Sequence, residues 1–302
     1  MCGYINSVGE IAVPPSYLAC GHFSEGLAAV INNFQKSGFI DAGARLVIPC
    51  DFQGVAMFYD GLCAINGGYI DHSGSRVIQQ QFLVAGRFSE GRAVASLDGE
   101  NFGFIDLSGN FVINPSFQKC RRFTEGLAAV YKDMRWGYVN HAGEEIIPHV
   151  FEGMKATNFS GGLAGACIDG LWGFIDHCGR FIIDPKFEDI TPFVYGHACV
   201  RRESKWGLIN SDGREVVQCS FEKLGRISAY LVPASRDGKA GYISLDGRWA
   251  IEPTFEATYG FYGDLAIVRW SEVYGYIDRN GRLVWTSPPG AEVQYAPAPQ
   301  LI

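Results

Sequence analysis

The chain is predicted to be all-β, a tandem array of hairpin units of about 34 residues. Three observations predict it. A Gly–aromatic–Ile/Val step, first seen at Gly3-Tyr4-Ile5, returns at Gly38, Gly68, Gly103, Gly137, Gly173, Gly207, Gly241 and Gly275, at intervals of 30 to 36 residues. An Asp, Asn or Ser follows the step in all nine copies, and in eight a Gly comes three residues later. Between successive steps lies a Gly-Leu-Ala-Ala-Val stretch, as in residues 26–30 and 126–130. Stacked units of this size share one continuous core, which overrides the two-domain expectation for 302 residues.

Each unit opens with a run between two aromatics six residues apart, as in Tyr17/Phe23, Phe52/Phe58, Phe82/Phe88, Phe117/Phe123, Phe187/Phe193 and Phe255/Phe261. Phe151/Phe159 is two residues longer, and Phe221/Ile227 ends in an aliphatic. Rings placed this regularly supply most of a unit's buried apolar area. The next strand carries a small residue at one position, Ala28, Ala93, Ala128, Ala164, Ala198 or Ala266, with Cys63 and Val232 as exceptions. Alanine is a poor strand former, so its recurrence predicts the tightly packed inner edge of the array.

The Gly–aromatic–Ile step is the third element. The fourth is a strand ending in Val/Ile-Ile-Pro, such as Val47-Ile48-Pro49, where proline cannot donate to a ladder and ends the strand. Asp, Asn or Ser at i with Gly at i+3 predicts a type I turn whose Gly takes αL in a bulge. The second copy, Asp41-Ala42-Gly43, reads as one residue shorter, and Asn66-Gly67 reads as a two-residue turn.

Trp136-Gly137-Tyr138-Val139-Asn140, Trp172-Gly173-Phe174-Ile175-Asp176 and Lys205-Trp206-Gly207-Leu208-Ile209-Asn210 resemble the WG (KWG) repeat of bacterial proteins. The likeness extends to the following Gly, the Ile-Pro-x-x-Phe and the Phe-x-Glu-Gly-Leu-Ala stretch, and covers roughly residues 1–285. It implies a β-repeat scaffold, often a binding module, with no shared catalytic residues. Trp stands in only three of nine Trp positions; Cys2, Ser37, Gly67, Phe102, Ala240 and Tyr274 fill the rest.

Nine hairpins alternate with eight intervening halves. That surplus favours an open, curved stack capped by its terminal hairpins, with a closed β-propeller of about eight blades as the alternative. Residues 1–285 are expected to form this single array, and residues 286–302 a Pro-rich tail, disordered or loosely packed.

The formal net charge of −7 and the lack of a basic stripe argue against nucleic-acid binding. No apolar run reaches 18 residues, and the N-terminus has neither a basic n-region nor an h-region, so no membrane span or secretory signal is expected. The nine cysteines substitute for ordinary residues of the repeat without any CxxC pair, which predicts reduced thiols and a cytoplasmic setting.

His72, His141 and His177 share one exposed turn position without clustering, which predicts no metal site. There is no Gly-x-Ser-x-Gly, phosphate loop or dinucleotide fingerprint, so no catalytic residue and no cofactor are assigned. Glu25, Glu90 and Glu125 follow His22, Arg87 and Arg122 by three residues, and are expected to form local, solvated ion pairs.

Partner contacts are expected at Arg87, Arg122, Arg226 and Trp270, residues on a charged ridge or at breaks in the repeat. The expected function is a non-enzymatic protein-binding scaffold, extending to an immunity or antitoxin role against a basic toxin. The alternatives are a hydrolase or lyase with a site at a propeller mouth, and a carbohydrate or small-ligand module using Tyr195, Tyr259 and Tyr262.

Overall fold

A computed structural model describes residues 1–153 and 156–287. Every regular element in them is a β-strand. A two-stranded hairpin, β1 (Cys2–Ile5) and β2 (Ile11–Tyr17), comes first. The first blade follows: β3 (Ala19–Ser24), β4 (Leu27–Ile31), β5 (Ser37–Asp41) and β6 (Leu46–Phe52), an antiparallel meander in that spatial order. Seven further meanders succeed it, so that six sheets have four strands and two have three among the described residues. The described chain falls into two compact units. The first holds Met1–Asn6 and Ile11–Val150, and the second holds Ser7–Glu10 and the described residues from Phe151 onward.

The recurring glycine has a steric cause. The fourth strand of a blade crosses the Gly–aromatic–Ile strand with a register slip at the glycine, as between Trp172↔Phe187 and Phe174↔Ile183. A Cβ on Gly173 would lie 2.4 Å from the Ile183 carbonyl oxygen, and on Gly103 2.3 Å from that of Ile113. Eight of the nine step glycines face a fourth-strand carbonyl in this way, from Gly3 at 2.2 Å to Gly137 at 2.7 Å; in the last, Gly275, the Trp270 ring takes that place.

Blades are joined by their two recurrent aromatics. The ring of the Gly–aromatic–Ile step in one blade packs on the second aromatic of the next run, nineteen residues on: Phe39–Phe58 at 4.8 Å, Tyr69–Phe88 at 5.0 Å, Phe104–Phe123 at 4.7 Å, Phe174–Phe193 at 4.7 Å and Tyr242–Phe261 at 5.1 Å. Where the first ring is tyrosine, its hydroxyl donates to a carbonyl of the following blade, Tyr69 to Gly86 and Tyr242 to Tyr259, both at 2.7 Å. This satisfies a polar tip in an otherwise apolar contact. The alanine position is at most 1% exposed throughout, on a strand flanked by neighbours on both sides in the six four-stranded sheets.

The Asp-x-x-Gly turns form as predicted. In Asp71–Ser75 the Gly74 amide donates to the Asp71 carbonyl at 2.9 Å, and the Asp71 carboxylate accepts from the amides of Ser73 and Ser75. The second copy departs from its reading. Its turn is of full length, with Ala44 in the glycine position at φ +64° and its amide donating to the Asp41 carbonyl at 3.0 Å. In unit 1 a Cβ on Gly74 would press on Ile48 at 2.9 Å, whereas the Ala44 methyl packs in a cluster around the smaller Val13. Ala44→Gly is expected to stabilise the protein by about 0.5–1 kcal/mol, since αL disfavours a Cβ. The check is a higher denaturant midpoint at an unchanged slope.

The same contact distinguishes the two arrangements left open by the hairpin count. Within unit 2, Gly213 sits on Ile183, Gly247 on Val217 and Gly281 on Ile251. Val284 of the last blade, next to Trp285 in the register place of Ile251, meets Gly9 of the first hairpin's turn, its carbonyl oxygen 2.3 Å from the glycine Cβ position. An open stack would leave Val284 without the next unit's glycine. The chain instead has the eight-bladed β-propeller arrangement, and the surplus hairpin has two strands among the described residues.

Two further expectations are corrected. Cys2 and Cys20 are joined by a disulfide that ties β1 to β3, with Cα atoms 6.1 Å apart, so the nine cysteines are not all free thiols. Seven remain, and burial pushes the Cys63 and Cys199 thiols up to about 12. At the other end, the last strand runs Leu283–Thr286, and Ser287 is buried with its amide donating to the Tyr274 carbonyl at 2.8 Å. The array therefore extends through Ser287; the rest of the expected tail, 288–302, lies outside the described residues, as do Met154 and Lys155 of the predicted insertion.

One loop carries a pH signature. The Asp98 side chain accepts from the Asn101 side-chain amide at 2.8 Å, from the backbone amides of Asn101 and Glu100 at 2.8 Å, and from the Ser96 hydroxyl at 3.0 Å. These donors hold its carboxyl well below the usual range. A depressed folded pKa gives stability that is present above the unfolded value, about 3.9, and is lost as pH falls toward the folded one. Asp98→Asn is thus expected to lower Tm at pH 7, and the gap should close below about pH 4 in thermal melts.

Candidate functional site

The turn joining the first two strands of a blade is a two-residue tip. Its flanking residues pair, as in Ser160↔Leu163, Val194↔His197 and Ser228↔Leu231. Both tip residues take positive φ in seven of the eight blades, for example Glu125 at 53° and Gly126 at 83°, the twist that matches the flanking strands. Glycine holds the second tip position in six of the eight blades.

In unit 1 the first tip position is acidic and bonds forward to the next blade. Glu25 accepts from the Gly61 amide at 3.2 Å, Asp60 from Gly91 at 2.8 Å and Glu90 from Gly126 at 3.1 Å. Two of the turn histidines join this network. His72 lies 3.1 Å from Glu25 with its ring stacked on Phe58 at 4.4 Å, and His141 lies 3.4 Å from Glu90 on Phe123 at 4.3 Å. The carboxylates of Glu25 and Glu90 thus serve blade-to-blade contacts, a correction to the local pairing expected within each turn. The histidine rings, read as exposed turn residues, cover a phenylalanine.

Unit 2 changes the chemistry of its tips. Tyr195 occupies the first tip position of one blade at φ 51°, and Tyr230 the second tip position of the next at φ 63°. Their rings stack on each other, centroids 4.1 Å apart and 19° from parallel, yet remain 49% and 60% exposed. Tyr262, beside the tip of the following blade, is 55% exposed. A side chain in αL costs about 1–2 kcal/mol, and exposure returns little of it through burial.

The expected partner residues divide between the two units. In unit 1, the Arg87 guanidinium lies over the Tyr59 ring at 4.4 Å with its Nε buried and unbonded, and Arg122 is half-buried. In unit 2, Arg226 is exposed four residues before Tyr230. Trp270 lies at the far end of the strand Ala266–Trp270, away from the Tyr262 tip, where it lines a recess of about 380 Å³ with Lys239, Thr254, Phe255, Glu256 and Ser271. Glu256 is committed there, accepting from the Ser271 amide at 3.1 Å and lying 3.6 Å from Arg269.

Of the rings considered for a carbohydrate site, Tyr195 and Tyr262 are exposed, whereas Tyr259 is half-buried with its carbonyl bonded to Tyr242. The sequence reading missed Tyr230. Its signal was a tyrosine where six other units have glycine; that it meets Tyr195, 35 residues earlier, required the blade packing.

Among solved structures, the chain is similar to the computationally designed Ika8 protein, with TM-score 0.51 and 15% identity over 90% of this chain and 95% of that one. It is also similar to a eukaryotic initiation factor, with TM-score 0.63 and 11% identity over 94% and 93%. At such identities the likeness concerns the fold alone. Comparison with curated proteins finds no match. The family model described as "WG containing repeat" matches residues 3–33, 38–66, 68–100, 102–133, 136–172, 172–206, 206–230 and 241–269. Glycine step, turn and aromatic run thus recur in the order of one repeat across most of its length, and the chain belongs to the WG-containing repeat family.

Proposed function

We propose that this chain is a non-enzymatic protein-binding scaffold whose partner is gripped at the unit 2 tips by Tyr195 and Tyr230, with Tyr262 beside them. The observation that carries this reading is the pair of large, exposed rings held in a strained backbone where sibling turns use glycine or small and acidic residues. Neither burial nor backbone preference accounts for them, and strained positions of this kind gather at ligand clamps. Tyrosine is also among the residues that dominate interface energetics. The net charge of −7 favours a basic partner. An immunity or antitoxin role, in a bacterial cytoplasm, is one form such a scaffold takes.

The test uses opposite signs. Tyr230→Gly should leave stability unchanged or raise it by up to about 1 kcal/mol, because it relieves αL strain. A protein retained by the immobilised wild-type chain should bind the Tyr195→Ala/Tyr230→Gly double variant about 100-fold more weakly, as loss of two interface anchors implies. If Tyr230→Gly destabilises by more than about 1 kcal/mol, the ring is structural and the reading fails. Retention only of glycans, lost in the same double variant, would replace the protein partner with the carbohydrate reading.

A further inference from the structure

We propose that the recess beside Trp270, between the start of the strand Lys239–Ser244 and the end of the strand Ala266–Trp270, binds a small aromatic carboxylate. The anion meets the Lys239 ammonium, and the flat body lies against the rings of Trp270 and Phe255. This site lies within unit 2, is separate from the tyrosine tips, and stands or falls independently of them.

The recess forms because the last blade departs from its siblings at one position. Where the second strand of a blade ends its pairing with the third, Arg202 stands opposite Lys205 and Arg236 opposite Lys239, but Trp270 stands opposite Val273. The Arg236 guanidinium lies 4.5 Å over the ring of Phe221, the aromatic that ends the preceding fourth strand. Phe255, which ends the next fourth strand, has no such cover. The Trp270 ring turns instead onto Gly275, with carbons 2.7 and 2.9 Å from the glycine Cβ position, and its centroid stands 6.1 Å from that of Phe255. Gly275 has room for it because the last fourth strand pairs there without the usual slip, Gly275↔Thr286 followed by Tyr276↔Trp285.

The charges around the recess define the ligand's sign. Glu256 does what its siblings do: Glu188 accepts from the Ser204 amide at 3.2 Å, Glu222 from Gly238 at 3.4 Å and Glu256 from Ser271 at 3.1 Å. Its carboxylate is therefore committed to its own blade. The Lys239 side chain makes no hydrogen bond and no ion pair among the described residues, and the Arg269 Nε, 3.6 Å from Glu256, is buried without a hydrogen bond. Two cations thus stand against one carboxylate, and a single negative charge balances them. A bond from an ammonium to an anion is stronger than one between neutral groups.

The walls define its body. At about 380 Å³ the recess is at the small end of the range for small-molecule sites. Two aromatic side chains with a few polar groups between them suit a flat apolar body that carries one charged group. The hydrogen bonds, ion pairs and ring contacts of the lining residues all fall within the described residues.

The experiment follows the indole Nε1–H resonance of Trp270 in the full chain, assigned by sequential correlation, as benzoate is added. Benzoate is expected to shift it saturably in the millimolar range or below, as suits so small a ligand. Benzamide, its neutral counterpart, should bind at least about tenfold more weakly, and benzoate should lose a similar factor in Lys239→Gln, since each removes the charge-assisted bond. Lys239 is exposed, so Lys239→Gln should melt like wild type. The Tyr195→Ala/Tyr230→Gly variant should titrate like wild type, which separates this site from the tyrosine reading. Absence of a saturable shift, an equal response to benzamide, or an unchanged titration in Lys239→Gln would overturn the proposal. So would loss of the response in the tyrosine variant, which would move the anion to the tips.

Discussion

Gly173→Ala is expected to cost about 3 kcal/mol, a large loss for one methyl group. The reason is contact and not backbone preference. Gly173 is absent from the positive-φ glycines, so its conformation is open to alanine, but the new Cβ would lie 2.4 Å from the Ile183 carbonyl oxygen and 2.8 Å from the Pro185 nitrogen. These are backbone atoms of a paired strand, which can yield only by breaking its register. Gly170 supplies the contrast, with φ +77° and nothing within 4 Å of its Cβ position. Gly170→Ala should cost about 1 kcal/mol, the αL penalty alone. Urea unfolding of both variants decides the matter: a loss at Gly173 no greater than that at Gly170 would show that the strand crossing is not what fixes the glycine.

Phe193→Ala should be costlier still, about 3–5 kcal/mol, the range for truncating a buried ring. Phe193 is 2% exposed, packs edge-on against Phe174 of the preceding blade at 4.7 Å, and its carbonyl accepts the Ser160 hydroxyl of that blade at 2.6 Å. Removing the ring opens a cavity between two blades, so the loss should be accompanied by faster amide exchange in both. Phe34, 84% exposed, gives the baseline, and Phe34→Ala should stay within about 0.5 kcal/mol of wild type. Similar losses at the two sites would mean that the recurrent aromatics do not hold the blades together.

Much of the fold was legible because a repeat states its local rules many times. Asp71-x-x-Gly74 and its siblings announce a turn whose chemistry is complete within five residues, and the structure forms that turn. Ala44 escaped because αL is a backbone state that alanine tolerates at modest cost, so the turn kept its length while losing its glycine marker. The forward bonds of Glu25 and Glu90 escaped for another reason. Their nearest basic residues in sequence are three positions away, but their partners, Gly61 with His72 and Gly126 with His141, lie one blade on. Cys2 and Cys20 looked like separate substitutions until the packing of β1 on β3 brought them together.

The sequence by itself determined the unit: its strands, its turn chemistry, its period and its family. These follow from near-neighbour physics, since φ preference and side-chain alternation act within a few residues; the proline expected to end the fourth strand does not, as Pro49 lies inside Leu46–Phe52. Tertiary structure alone decided why the glycine recurs, because the carbonyl it avoids belongs to the next strand. It decided the propeller arrangement through the meeting of Gly9 with Val284, near opposite ends of the described chain. It also decided the candidate site, since Tyr195 and Tyr230 become one surface only when neighbouring blades stack. Repetition can specify each blade from within, but an approach between blades depends on packing that no single repeat contains.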